Sequence, residues 1–320
     1  MSFRKSRFFV LLCLGLVGLL SGRAALADSR PGATKPDSNI PTALVVQDLT
    51  GGLTPTDLAN ALVGTGVSIS NVTFTGDEAG AGAFSGGTGI IGFEEGIVLG
   101  SGSVLDTVGP NVLDDVTTEF LTNGDSDLNT LSGFTTHDAV VLEFDFVPDS
   151  DQLFFTYVFA SDEYNEFVNT QFNDVFAFFV NGVNCAIVGG SDPVSINTIN
   201  NGNPYGSPPN SHPELYINND LDDGGGSIDT EMDGLTVPLN CASTVNPNVT
   251  NHIKLAIADA SDFAYDSAVF IQAGSLTTTD VSLSGINGLG NQNWLAPAGI
   301  LLVLLMGLLV WRLPRPGQNS

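Results

Sequence analysis

The sequence predicts an all-β body, an antiparallel two-sheet sandwich of jelly-roll-like form, with one short N-terminal helix and a C-terminal transmembrane helix beyond it. Three observations lead there. From residue 67 onward apolar side chains recur at alternate positions, most clearly where Leu142, Phe144 and Phe146 alternate with Glu143 and Asp145. Clusters of Gly, Asn, Asp and Pro separate these runs. No second amphipathic helix follows the first short one, so the apolar faces of sheets must be covered by other sheets.

Residues 1–27 read as an export signal: Arg4, Lys5 and Arg7, a 13-residue apolar run at 8–20, then the small-residue cleavage site Ala25-Leu26-Ala27. The run is short for a membrane span, although an uncleaved anchor is the alternative. Cys13 follows Leu12, where a lipoprotein signal needs a small residue, so lipidation is not expected. Residues 28–40 mix Pro with Gly, Ser, Thr and Lys and read as a flexible leader. The body is expected at 41–276. It opens on a helix with Thr54 as N-cap, Pro55 at the first position, Asp57 three residues after the cap, Leu58, Ala61 and Leu62 inward, and Gly64 as stop.

Strands are predicted at 67–74, 96–99, 139–147, 152–160, 175–180, 186–188, 194–199, 253–258 and 268–273. The aromatic runs at 153–159 and 172–179 fit core strands. Residues 200–233 form a long polar loop, and 277–293 read as a stalk. Trp294 to Trp311 is an 18-residue stretch without a charge. As a helix it is about 27 Å long, close to the hydrocarbon thickness. Arg312 and Arg315 after it place residues 312–320 on the cytoplasmic side, the body outside, and make the membrane a partner. A buried core helix is the alternative. Leu313-Pro314-Arg315-Pro316-Gly317 follows the run instead of preceding it, unlike an LPxTG sorting signal.

Charge narrows the partners. The chain has 35 Asp plus Glu against 9 Lys plus Arg, a net charge of -26, and between residues 36 and 311 its one basic residue other than histidine is Lys254. Binding of nucleic acid needs a basic face, and none is available. With 42% hydrophobic and 14% charged residues, the body is not a disordered polyelectrolyte. It therefore repels itself or recruits cations.

Once an export signal is removed, Cys185 and Cys241 remain, and in an exported chain they most simply form one disulfide; two buried free thiols are the alternative. Metalloprotease, nucleophile-elbow, phosphate-loop and dinucleotide motifs are all absent, and His137, His212 and His252 have no ligand spacing. Oxygen donors do cluster. Asp162 and Glu163 follow an apolar strand, Asn173 and Asp174 open the next, and Asp259, Asp262 and Asp266 crowd the loop before the last. Calcium takes six to eight such oxygens, so these seven residues are the candidate metal ligands and calcium the expected cofactor. Asp125, Asp127 and Asn129, and Asn218, Asp220 and Asp222, are weaker EF-hand-like sets. Turn and helix capping is the competing reading of all of them.

The stretches GIVLGSG at 96–102, DSDLNTL at 125–131, DAVVLEFDFVP at 138–148, YVFASDEYNEF at 157–167, FNDVF at 172–176, SINTI at 195–199 and HIKLAIADA at 252–260 together resemble the choice-of-anchor L domain of prokaryotic surface proteins. The resemblance covers roughly residues 42–276. It implies export and a C-terminal anchor, and it brings no established activity and no catalytic residues.

The expected function is a surface-anchored, calcium-stabilised module for adhesion, matrix assembly or binding of an extracellular glycan or protein. Two alternatives stand beside it. One is a polysaccharide hydrolase working through a carboxylate pair, the other an architectural surface-layer component.

Overall fold

Alternating and fully apolar runs decide which residues face which layer. The computed structural model describes residues 43–204 and 209–279. In chain order its elements are β1 (Val45–Asp48), α1 (Pro55–Leu62), β2 (Val67–Thr75), β3 (Ala81–Ser85), β4 (Glu95–Gly100), α2 (Ser126–Ser132), β5 (Thr136–Pro148), β6 (Gln152–Ser161), β7 (Val175–Val180), β8 (Val183–Asn184), β9 (Ile187–Val188), β10 (Asp192–Pro193), β11 (Tyr216–Asn218), β12 (Gly234–Thr236), β13 (Leu239–Thr244), β14 (Asn251–Ala260) and β15 (Ser267–Gln272). They form an eight-stranded sheet ordered β1-β3-β4-β15-β6-β12-β11, with β13 also on β6, and a five-stranded sheet ordered β2-β5-β14-β7-β8. A small β9-β10 pair completes the set, and the pairings are antiparallel.

The two large sheets enclose one core. Leu142, Phe144 and Phe146 of β5 and Ile253, Leu255 and Ile257 of β14 face Tyr157 and Phe159 of β6 and Val269 and Ile271 of β15, while Glu143 stays partly solvated. Phe155 packs edge-on against Phe178 at 3.8 Å between centroids. Each such aromatic or aliphatic group contributes about 1.5–3 kcal/mol through burial. The eight-stranded sheet is apolar on its second face too, where Phe84, Val98 and Phe270 are covered by Ile90, Ile91, Phe93 and Met232. This explains why β4, β6 and β15 read as continuous apolar runs.

Helix α1 begins as its sequence requires. Thr54 accepts from the Asp57 amide at 3.2 Å and Asp57 accepts from the Thr54 amide at 2.9 Å, a reciprocal capping box. Thr54→Ala is expected to lower unfolding free energy by about 1 kcal/mol, read as a shift in the urea midpoint with unchanged slope. The helix ends at Leu62 with Val63 as its cap and Gly64 directly after it, but Gly64 does not adopt the left-handed backbone of a capping glycine. Gly64 instead donates to the Leu276 carbonyl at 2.8 Å, where a Cβ would collide with the backbone of Gly274.

Two expectations need correction. A second helix exists: α2, seven residues long, presents little more than Leu128 and Leu131 to the outer face of the five-stranded sheet, too few apolar positions for a visible period. Its N-cap is Asp125, which accepts from the amides of Asp127 and Leu128, and Asn129 Oδ1 accepts from the Thr136 amide and hydroxyl. Lys254 donates to both Asp125 and Asp127 at 2.7 Å. The EF-hand-like set at 125–129 is thus a helix cap and an ion pair. Residues 194–199 are likewise no strand but a turn, held to Val175 by one bridge at Ser195. Thr198 hydroxyl bonds to Pro193 and Ser195 carbonyls tighten it.

Cys185, just after β8, and Cys241, in β13, form a disulfide with Cα atoms 5.5 Å apart. It joins the margins of the two sheets. Thr277 pairs with Phe154 through bonds of 2.8 and 3.1 Å, and Thr278 donates to Thr65, so the body runs past 276. Among the described residues no helix is long and apolar enough to cross a membrane. The export signal (1–27), leader (28–40), most of the stalk, the membrane span (294–311) and the tail (312–320) lie outside the described residues.

Candidate metal centre

Six strand ends meet at one end of the sandwich. β4, β6 and β14 finish there at Gly100, Ser161 and Ala260, while β7, β12 and β15 start there at Val175, Gly234 and Ser267. Register makes this exact enough to place side chains: Ser161 lies opposite both Ser267 and Gly234, and Ala258 opposite Val175. The acids that follow or precede these strands in sequence are therefore gathered in space.

Asp174, at the foot of β7, is wholly buried and well tied down. It accepts from the Ala260 amide at 2.9 Å and the Ser267 hydroxyl at 2.7 Å. Burial pushes its carboxyl up to about 7, with Asp262 adding repulsion and those hydrogen bonds opposing. Glu163 lies against it. Glu163 is 1% exposed, and neither of its carboxylate oxygens has a hydrogen-bond partner. Burial and then the charges of Asp174 and Asp262 hold it well above the usual carboxylate range. Asp259 is fully buried between Asp174 and Ser101, no hydrogen bond of ordinary geometry reaches its two oxygens, and burial again raises it strongly. Asp262, half-buried, leaves Oδ1 without a partner.

Asp266 belongs to the edge of this group. It accepts from the Thr118 amide at 2.7 Å, and burial with Asp174 and Asp106 nearby pushes it up to about 8. Gly102 makes room for it, since a Cβ there would overlap the Asp266 carboxylate. Asp162 faces a different neighbourhood from Glu163. Its Oδ1 accepts from the Asp233 amide at 3.2 Å, and its strongest charge neighbour is Asp233. Asn173 is turned away from the carboxylates; its Oδ1 accepts from the Asn197 amide at 2.9 Å and its Nδ2 donates to Ser132.

Of the seven predicted ligands, the fold thus gathers Glu163, Asp174, Asp259 and Asp262, keeps Asp266 at their margin, joins Asp162 to Asp233, and employs Asn173 in closing the 195–200 turn. Buried acceptor oxygens without donors cost free energy that a cation offsets. Lys254 is the one Lys or Arg among the described residues, and it is committed to α2. Among the described residues no group of three or more His, Cys, Asp or Glu side chains already has the geometry of a metal site. An ion here would have to draw its carboxylates inward.

Sequence reading missed Asp233, Glu231 and Asn111 on this end. Glu231 accepts from the amides of Val112 and Leu113, and Asn111 donates to Asp233 at 2.7 Å. Asp233 stands immediately before β12, whose three residues Gly-Leu-Thr carry no period of their own, so no local signal marks it. Asn111 sits in an irregular segment and carries no local signal.

The family model of the choice-of-anchor L domain matches residues 46–277 of the chain. No curated protein matches it. No solved structure does either.

Proposed function

The chain belongs to the choice-of-anchor L domain family, and on that premise we propose that it is an exported, surface-anchored β-sandwich whose acidic loop end binds calcium and serves adhesion, matrix assembly or ligand binding. The observation that carries the calcium reading is Glu163, a carboxylate 1% exposed with both oxygens unpartnered beside Asp174 and Asp262. Calcium accepts an irregular set of carboxylate, amide and carbonyl oxygens on loops, which is what this end of the fold offers. Neutralising the group would fix six strand ends relative to one another and so stiffen the surface that the loops present.

We read the module as non-enzymatic. The acids at the loop end are buried, whereas a polysaccharide hydrolase needs two carboxylates facing a cleft. A cavity of about 340 Å³ is lined by Gly66, Val67, Ser68, Val147, Pro148, Asp149 and Asn248, and it contains one carboxylate, already bonded to the Thr278 hydroxyl at 2.6 Å.

Thermal unfolding in chelator, and again after calcium is restored, tests the proposal. At calcium about a hundredfold above its dissociation constant, stabilisation is about 2.7 kcal/mol, or roughly 5–10 °C for a body of this size. Glu163→Gln should lose most of that response. An unchanged melting temperature on adding calcium back would remove calcium from the proposal.

A further inference from the structure

Around the Ser161–Asn165 turn a second set of oxygen donors converges, drawing Asp162 from the seven predicted ligands and Asp220 from the weaker set at 218–222 and adding residues that the sequence did not single out. Five side-chain oxygens there are buried without a hydrogen-bond partner: Asp162 Oδ2, Asp220 Oδ2, Asp233 Oδ2, Asn165 Oδ1 and Asn111 Oδ1. All five residues are more than nine-tenths buried, with Asn165, Asp220 and Asp233 wholly so.

Hydrogen bonds show that these groups occupy one neighbourhood. Asn111 Nδ2 donates to Asp233 Oδ1 at 2.7 Å and to the Asn219 carbonyl at 3.0 Å. The Asp233 amide donates to Asp162 Oδ1 at 3.2 Å. Asn165 Nδ2 donates to Asp223 at 3.0 Å, and Asn218 Oδ1 receives both Asn165 Nδ2 and the Asp220 amide. The Asn219 amide closes the ring on the Asp233 carbonyl at 2.8 Å. Four separate stretches of chain thus each use their donors internally and leave an oxygen over.

We infer that these oxygens form a second calcium site, with Asp162, Asp220 and Asp233 as charged ligands and Asn111 and Asn165 as amide ligands. The inference rests on the reading that the acidic loop end takes calcium. Three features select the ion. Every spare atom is an oxygen, which excludes metals that prefer nitrogen or sulfur. The donors come from loops of different lengths instead of a rigid octahedral cage, which favours calcium over magnesium. A buried water would satisfy acceptors but bring no positive charge to three carboxylates, and among the described residues the one Lys or Arg, Lys254, is engaged by Asp125 and Asp127. Bound there, the ion would fasten the Asn218–Asp233 loop and the segment around Asn111 to the end of β6.

The decisive experiment counts calcium bound to the full-length chain by equilibrium dialysis at neutral pH, with calcium ion alone as probe. Wild type should bind two ions per chain, Asp220→Asn one and Glu163→Gln one. Asp220→Asn keeps the Oδ1 that caps its own turn by accepting from the amides of Asp222 and Asp223 at 2.7 and 3.1 Å, so it changes only the oxygen aimed at the site. If Asp220→Asn binds as many ions as wild type, the second site is wrong while the Glu163 site stands. If Glu163→Gln loses nothing and Asp220→Asn loses one, the earlier reading falls and this one survives. Protease nicking within residues 221–226 of the Glu163→Gln protein gives a readout independent of the Asp220 variant. Calcium should slow it at least tenfold, and equal cleavage with and without calcium would overturn the inference.

Discussion

In chelator, the folded protein should lose stability steadily as the pH is raised from about 5 to about 9, the opposite of ordinary acid denaturation. The cause is the acidic loop end. Asp174, Asp266 and Asp233 are pushed up by burial to about 7, 8 and 9, from an ordinary value of 3.8. A carboxyl that holds its proton more tightly when folded contributes stability that is complete below its unfolded value. That contribution disappears as the pH rises through the folded value. The summed loss should be on the order of a few kcal/mol, because coupled groups do not add independently. Urea midpoints at a series of pH values would show it. Calcium should flatten the profile and act most strongly at the alkaline end, where the carboxylates are ionised and available as ligands. A metal-free midpoint that is level or rises across this window would mean that the acids are already compensated within the protein.

Removing the disulfide should have the larger effect at any single pH. Cys185 and Cys241 are 56 residues apart in sequence, and closing a loop of that length restricts the unfolded chain by about 4 kcal/mol. Cys185→Ala combined with Cys241→Ala is expected to fall short of wild type by about that amount in urea denaturation. Cys241 is 1% exposed, so a small cavity adds to the loss. An equal midpoint for the oxidised wild type and the double variant would show that the link constrains nothing that the sheets do not already fix.

What the sequence revealed follows from where its signals are local. Strands β5 and β14 were visible from a two-residue period in Leu, Phe and Ile, and β6, β7 and β15 from short unbroken apolar runs rich in aromatic and β-branched residues; neither signal needs a partner to be recognised. β3, with the sequence Ala-Gly-Ala-Phe-Ser, and the three-residue β11 and β12 have no such period; pairing with neighbours makes them strands. The same division holds for the site. Asp162, Glu163, Asp174 and Asp259 were legible because each lies at the beginning or end of an apolar run. Their separation into two neighbourhoods was not, because it depends on the register of β12 against β6. Gly234 opposite Ser161 brings Asp233 alongside Asp162, a relation between positions seventy residues apart. Asn173 is engaged by the 195–200 turn, since an amide before a strand serves a turn as readily as an ion.

The position of β15 has a mechanical consequence. It is held by five-residue ladders to β4 on one side and β6 on the other, and its six residues start at Ser267 beside the acids. It therefore ends about 20 Å away from them, where Thr277 is clasped by Phe154. A load applied to the chain beyond that clasp would enter the sandwich along β15 and strain both ladders in shear, many hydrogen bonds at once, instead of peeling them singly. A tether attached there would also hold the carboxylate loops at the distal tip, facing whatever the protein meets.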